Sequence, residues 1–146
     1  MSLPGTVYLV SCVKSKAKQA CAAKDLYSPS ALFRKARAYV ESLDAAWFIL
    51  SAKHGLVAPD TVIAPYELTL KKMKRAERCK WAELVAGQFA AQVKGVSRIV
   101  FLAGLPYREF LIPHFEKQGL TTEVPMARLG NGKQLVWLVE HTSSKA

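Results

Sequence analysis

The chain has 146 residues, of which 51% are apolar and 22% are charged, a composition typical of one globular domain and not of a disordered chain. A domain of this size buries about two thirds of its unfolded surface, so it needs no disulfide or metal to fold, and no apolar stretch is long enough to span a bilayer. Lysine and arginine number 21 against 11 acidic residues, and the resulting charge of +10 favours phosphates or polynucleotides as partners.

The first half of the chain alternates between strand and helix patterns. The run 7–10 is β-branched and aromatic, which predicts a short strand buried on both faces. Ser28 followed by Pro29 predicts a helix N-cap and the first helical residue, and apolar residues then recur at helical spacing to residue 43. The apolar run 47–51 predicts a second strand, and the motifs SAKHGL and IAPYELTL are placed in the loop after it.

The second half continues the alternation. Residues 74–93 predict the longest helix, residues 98–103 a third buried strand, and residues 121–124 a short fourth strand. A further helix is predicted from residue 106 to residue 119, with a bend at Pro113. The apolar face expected for the longest helix comprises Trp81, Leu84, Val85, Phe89 and Val93.

These elements predict a single α/β domain over residues 1–146, a three-layer sandwich with a mostly parallel sheet of about four strands flanked by helices. The segment 134–141 fits either a helix or a strand, and we expect a helix. In such sheets ligands bind beyond the carboxyl ends of the strands. Three polar clusters are therefore expected at one edge: Ser11, Cys12 and Lys14; Ser51, Lys53 and His54; Gly104 and Tyr107.

The SAKHGL motif supplies the candidate chemistry at the end of the second strand. Lys53 is suited to bind phosphate or carboxylate, and His54 is suited to transfer a proton near neutral pH. Adjacent side chains of extended backbone point to opposite sides, so a turn that Gly55 permits is needed to bring both into one pocket. The alternative is a structural turn in which Lys53 is solvated and His54 bonds a carbonyl.

Cysteine use offers one further chemical group. Cys12 follows a strand and is either a nucleophile with His54 as its base or an inert buried residue. The chain has three cysteines at spacings that match no zinc pattern, and residues 1–12 have no secretory signal pattern. We therefore expect a cytoplasmic protein with reduced thiols and with neither a metal nor a cofactor.

Other residues are candidates for anion or base binding. Ser28 either caps a helix or, with Tyr27 and Ser30, holds a phosphate at the helix N-terminus. Tyr66 either stacks on a base or anchors its loop, and Glu67 is a candidate general base. The basic run at 71–75 is either the solvated start of a helix or a path for a polynucleotide backbone.

Four motifs in order resemble an uncharacterised bacterial and phage domain family: SC-x-K-x-K, AKDLYSPSALFRKARAYVE, FILSAKHGLVAPDTVIAPYELTL and LGNGKQLVWL. The chain is also distantly similar to the YaaA peroxide-stress proteins and to the Pro-Cys-Ser, Lys-Pro-Tyr-Ser domain of archaeosine synthases. It departs from the latter, with Ser-Cys for Pro-Cys-Ser and Asp-Leu-Tyr-Ser for Lys-Pro-Tyr-Ser, so lysine transfer does not carry over. The resemblance implies no settled reaction and a polar site at Ser11, Cys12, Lys14, Tyr27, Ser28, Ser51, Lys53, His54, Gly55 and Tyr66.

Three functional hypotheses follow. The first is an enzyme of nucleotide or modified-nucleobase metabolism, of glycosyl-bond hydrolase or transferase type, in which Lys14 and Lys53 bind phosphate and His54 moves a proton. The second is a non-catalytic module that binds DNA or RNA through its basic surface. The third is a thiol hydrolase that uses Cys12. The expected partner is a phosphate-bearing small molecule or a nucleic acid, and not a membrane.

Overall fold

Seven strands form two sheets in the computed structural model, which describes residues 5–142. The strands are β1 (Thr6–Ser11), β2 (Cys21–Ala22), β3 (Ala46–Ser51), β4 (Gly55–Val57), β5 (Val62–Ile63), β6 (Arg98–Leu102) and β7 (Thr121–Glu123). The larger sheet has the order β4-β3-β1-β6-β7. β1 pairs in parallel with β3 and β6, and β6 with β7, whereas β4 returns antiparallel along β3. β2 and β5 form a separate antiparallel pair.

Helices cover both faces of this sheet. They are α1 (Ala23–Leu26), α2 (Ala31–Ser42), α3 (Arg75–Gln92), α4 (Leu105–Arg108), α5 (Leu111–Lys117) and α6 (Asn131–His141), with a 3₁₀ turn at Leu70–Lys72. The connections β1-α2-β3 and β3-α3-β6 cross the sheet in opposite directions, so right-handed crossovers place α2 and α3 on opposite faces. Because α6 packs against α2 and α5 against α3, the molecule has three layers.

The two central strands carry the core. β1 and β6 are buried along almost their whole length, and Leu9 and Phe101 have no exposed surface. Such continuous apolar strands are typical of a parallel sheet covered on both faces. The predicted α/β sandwich with a mostly parallel sheet is therefore confirmed, and the preferred helix at 134–141 is confirmed as part of α6. Within residues 5–142 no helix is long and apolar enough to cross a membrane.

One predicted helix start and one predicted helix face were wrong in detail. The helix expected to begin at Pro29 begins two residues later, because Ser30 and not Ser28 is its N-cap: the Ser30 hydroxyl accepts a hydrogen bond from the Phe33 N–H at 3.2 Å. Two turns follow α1 and lead into α2. In them the backbone N–H of Ser28 donates to the carbonyl of residue 25, and the backbone N–H of Ser30 donates to the carbonyl of residue 27. On α3, Leu84 is 51% exposed and does not belong to the buried face.

The helix predicted from residue 106 to residue 119 is two helices, α4 and α5. Pro113 has no N–H to donate to the carbonyl of Glu109, so a continuous helix would lose a bond there. It lies instead in the first turn of α5, where no such bond is required.

The loop predicted after the second strand was also wrong in part. Gly55–Val57 forms strand β4, and Ser51 pairs with Gly55, so SAKHGL is a tight antiparallel hairpin.

Candidate functional site

The strand order creates a crevice between β1 and β6. From β1 the chain passes to β3 on one side, and it later returns to β6 on the other side of β1. Such a reversal is the point where open α/β sheets bind ligands, beyond the carboxyl ends of the two strands. A cavity of about 590 Å³ lies there, lined by the segments after both strands (residues 11–14 and 103–108). This cavity is the candidate functional site.

The charged side chains that line the cavity are all cationic. They are Lys14, Lys71, Lys72 and Arg108, and no Asp or Glu is among the described residues that line it. The three lysines are exposed, whereas Arg108 is half-buried. The Nε atom of Arg108 is buried and has no hydrogen-bond partner among the residues that the structure describes. Four cations without a carboxylate among the described lining residues favour an anionic ligand.

The floor of the cavity is apolar. It is formed by side chains of the two central strands, of α2 and of the segment after β7: Val10, Leu32, Phe33, Ala36, Phe101, Val124 and Met126. Polar groups are few, and the amides of Asn131 and Gln134 at the start of α6 are among them. A cavity of this kind suits a ligand with an apolar ring as well as a charged group.

Cys12 and Tyr107 meet inside the cavity. The thiol lies 3.2 Å from the phenolic oxygen, and both residues line the cavity. Burial, with a smaller effect of the nearby Cys12, raises the pKa of Tyr107, which therefore stays protonated. The Trp81 indole packs edge-on against the Tyr107 ring at 5.6 Å and holds its position. The nucleophilic role predicted for Cys12 stays a prediction.

A buried chain of hydroxyl groups lies beside this pair. Tyr66 bonds Tyr27 at 2.7 Å and Ser51 at 2.7 Å. Ser51 also accepts the backbone N–H of His54 at 3.0 Å, and its carbonyl accepts the Trp81 indole N–H at 2.9 Å. Burial raises the pKa of Tyr27 to about 12 and raises the pKa of Tyr66 as well. Tyr66 is thus placed as an anchor of its loop.

Lys16 fastens the segment that follows β1. Its ammonium donates to the carbonyls of Val13 at 3.0 Å and Lys14 at 3.2 Å, and it lies 4.6 Å from the centroid of the Tyr66 ring. Burial lowers the pKa of Lys16. Lys16 therefore shapes the loop that carries Lys14.

Glu67, the candidate general base, is exposed and does not line the cavity.

The SAKHGL hairpin requires its glycine. Gly55 has a φ of +76°, and a Cβ there would collide with the side-chain oxygen of Gln88. That oxygen accepts the N–H of Leu56 at 2.8 Å, and the amide nitrogen of Gln88 donates to the His54 carbonyl at 3.2 Å. Gln88 therefore clamps the turn against α3.

Lys53 and His54 lie on this hairpin, outside the set of residues that line the cavity. Lys53 is exposed, and the half-buried His54 ring packs edge-on against Tyr66 at 5.6 Å. Partial burial, with a smaller effect of the Lys53 charge, lowers the pKa of His54. The roles predicted for both residues stay predictions, and Cys12 has Tyr107 as its hydrogen-bond partner, not His54.

The structure divides the predicted site residues into groups. The cavity brings together Ser11, Cys12, Lys14, Gly104 and Tyr107. The hydroxyl chain and the hairpin hold Tyr27, Ser51, Lys53, His54, Gly55 and Tyr66. Ser28 lies apart from both, and its carbonyl accepts a bond from Arg34.

Four polar residues that line the cavity were missed by the sequence reasoning: Thr69, Arg108, Asn131 and Gln134. Arg108 could have been found, because it directly follows Tyr107 at the end of the third predicted strand. Lys71 and Lys72 were predicted to form either the solvated start of a helix or a path for a polynucleotide backbone, and only the fold turns them toward the cavity. Among the described residues, no group of three His, Cys, Asp or Glu is placed to hold a metal ion.

Comparison with known proteins places the chain in a family. No curated protein matches it significantly, so the similarity to YaaA and to archaeosine synthases stays a prediction. A crystal structure of AF0587, described as a protein of unknown function, is 16% identical with a TM-score of 0.49. That match covers 98% of this chain and 46% of the other, so this chain spans less than half of AF0587. The family of unknown function DUF6884 matches residues 7–140, and the protein therefore belongs to that family.

Proposed function

We propose that the protein is an enzyme of nucleotide or modified-nucleobase metabolism, a hydrolase or transferase, and that its substrate binds in the cavity between β1 and β6. One observation carries the proposal. The cavity lies at the reversal of strand order and is lined by four cations and, within the described chain, by no carboxylate.

The charge pattern supports a phosphate group on the ligand. Arg108 lines the cavity, and arginine binds phosphate through two parallel N–H groups. Lys14, Lys71 and Lys72 surround the opening as flexible point charges. A singly charged ligand would leave most of this charge uncompensated, so a ligand with at least two negative charges, such as a phosphate monoester, is favoured.

The size and the floor of the cavity support an attached ring. A volume of about 590 Å³ lies within the range of about 300 to 1,000 Å³ typical of small-molecule sites. Most of the residues that line the cavity from the two central strands, from α2 and from the segment after β7 are apolar, so an attached base would be desolvated there.

The chemistry available in the cavity favours transfer through the thiol. Glycosyl-bond cleavage by two carboxylates would need acids that the described lining lacks. Cys12, bonded to the protonated Tyr107 hydroxyl, is the nucleophile that the lining offers. His54 and Lys53 do not line the cavity, so the proposal gives them no catalytic role.

A thermal-shift screen of nucleoside monophosphates, nucleosides and sugar phosphates tests the proposal. A monophosphate at one hundred times its Kd should stabilise the fold by about 2.7 kcal/mol, and the matching nucleoside should stabilise it less. Arg108→Ala and Lys72→Ala should weaken the shift, whereas Lys117→Ala, an exposed charge on α5 outside the cavity, should not. If no monophosphate produces a shift, the proposal is wrong.

A non-catalytic DNA- or RNA-binding module is the second candidate. The observation in its favour is the exposed basic run of Lys71, Lys72, Lys74 and Arg75 at the edge of the cavity. Binding through such a surface depends steeply on salt, because each phosphate contact releases a counterion. A steep fall of DNA affinity between 50 and 200 mM salt (about 10³-fold for six contacts), with no monophosphate binding, would favour this candidate.

A further inference from the structure

Gln134 is held in one orientation at the side of the cavity. It lies in the first turn of α6, and its backbone N–H donates to the Gly130 carbonyl at 2.9 Å. Its side-chain Nε2 donates to the Leu129 carbonyl at 2.7 Å. A carbonyl oxygen can only accept a hydrogen bond, so the NH₂ group must face Leu129 and Oε1 must be turned away from it.

The side-chain oxygen of Gln134 is therefore a fixed acceptor. Gln134 lines the cavity, and Oε1 has no hydrogen-bond partner among the described residues. The amide cannot flip, because Oε1 would then meet the Leu129 carbonyl with lone pair against lone pair. One N–H of Nε2 stays free, but a ligand group at the position of Oε1 always meets an acceptor.

The acceptor and the cations belong to different parts of the cavity wall. Lys71, Lys72 and Arg108 lie on the 3₁₀ turn and on α4, which contact each other. Gln134 lies on α6, which packs against α2, and α2 supplies part of the apolar floor through Phe33. A ligand whose phosphate contacts the cations can thus present the edge of its ring to α6.

We propose that Gln134 determines specificity by accepting a hydrogen bond from the exocyclic amino group of a nucleobase. The inference rests on the function proposed above, and it narrows the substrate class to nucleotides of amino-bearing bases. An oxo group at the same ring position would place a carbonyl oxygen against Oε1. A buried acceptor facing another acceptor loses its bond to water and gains none, so the site rejects the oxo base.

Calorimetric titration with matched monophosphates tests this. In the pairs AMP and IMP, and CMP and UMP, an oxo group replaces the amino group at the same ring position. In the pair GMP and IMP, hydrogen replaces the 2-amino group, so this pair tests loss of the amino group alone. In at least one pair the amino-bearing nucleotide should bind about tenfold more tightly, equivalent to about 1.4 kcal/mol. Gln134→Ala and the similarly sized Gln134→Met should bring that ratio close to one, because the amino-bearing nucleotide loses its acceptor and the oxo nucleotide no longer faces Oε1. Gln92→Ala, an exposed glutamine at the end of α3, should preserve the ratio.

The outcomes separate this inference from the proposed function. Equal affinities within every pair, or a ratio that survives in both Gln134 variants, overturn the role of Gln134 and leave the nucleotide site standing. If none of the five nucleotides binds, both the proposed function and this inference are wrong. Circular dichroism of each variant at the titration temperature establishes that it is folded.

Discussion

The thiol of Cys12 lies 3.2 Å from the hydroxyl of Tyr107, although 95 positions separate them in the chain. Cys12 directly follows β1, and Tyr107 lies on α4 after β6. They meet because β1 and β6 are neighbours in the sheet and run in parallel, so that both strands end at the same edge. The pairing of two strands thus brings a thiol and a phenolic hydroxyl together in the lining of one cavity.

Bound nucleotide is expected to protect Cys12 from alkylation. Cys12 is buried and lines the cavity, whereas the half-buried Cys21 and Cys79 do not line it. At one hundred times Kd about 1% of sites are empty, so the rate at which iodoacetamide modifies Cys12 should fall by at least about tenfold. Peptide mass spectrometry over time measures all three thiols, and Cys21 and Cys79 serve as internal controls. An unchanged rate at Cys12 would contradict its placement in the binding site.

Gly55→Ala is expected to destabilise the fold by about 1 to 3 kcal/mol. The alanine would have to adopt the left-handed backbone conformation of Gly55, and its methyl group would displace the Gln88 side chain that clamps the hairpin. Gly87→Ala is the control, because a Cβ there meets nothing within 4 Å and the residue lies inside α3, where alanine stabilises the helix. Urea midpoints measure both. A neutral Gly55→Ala would mean that the hairpin does not need this conformation.

Lys53→Ala and His54→Ala test the prediction that the SAKHGL motif is the binding site. Since neither residue lines the cavity, both variants should bind a monophosphate as the wild type does. Lys53 is exposed, so Lys53→Ala should change the free energy of unfolding by less than about 0.5 kcal/mol. His54→Ala should lower it by more, because the His54 ring loses its packing on Tyr66. Lys72→Ala is the comparison that should lose affinity. Loss of affinity in either hairpin variant would restore the motif as the site.

His54 should make stability depend on pH below its unfolded pKa. Partial burial lowers the pKa of His54 from 6.5, so between the two values the unfolded chain binds more protons than the folded one. The free energy of unfolding should therefore fall as pH falls below about 6.5 through the folded pKa. His54→Ala should flatten this part of the profile in urea titrations from pH 7.5 to 5.5. If the free energy of unfolding depends on pH as steeply in the variant as in the wild type, groups other than His54 cause that dependence.

The main strands of the fold were predictable from the sequence, but their order in the sheet was not. The apolar runs that became β1, β3 and β6 stand out because each is continuous and ends in polar residues. Nothing in those runs tells that β6 pairs with β1 on the side away from β3, because pairing depends on packing of the whole sheet. All three polar clusters were therefore assigned to one site, although the crevice opens between only two of the strands.

Short elements and distant side chains escaped prediction for a related reason. β4 has three residues and follows a charged turn, so its apolar pattern is too brief to recognise. Its existence depends on the positive φ of Gly55 and on Gln88, which comes 33 positions later in the sequence. Lys72 and Gln134 enter the cavity wall only through the packing of a turn and a helix whose positions no local pattern encodes.

Both outer strands of the five-stranded sheet, β4 and β7, are only three residues long. An outer strand carries a row of unpaired N–H and C=O groups, and another chain can extend the sheet along that row. Here such a chain would find at most three residues to pair with on either side. On β7, Glu123 is also ion-paired with Arg98 of the neighbouring strand, which places charge on that border. The fold thus protects itself against edge-to-edge aggregation by keeping its borders short, even though its central strands are strongly apolar.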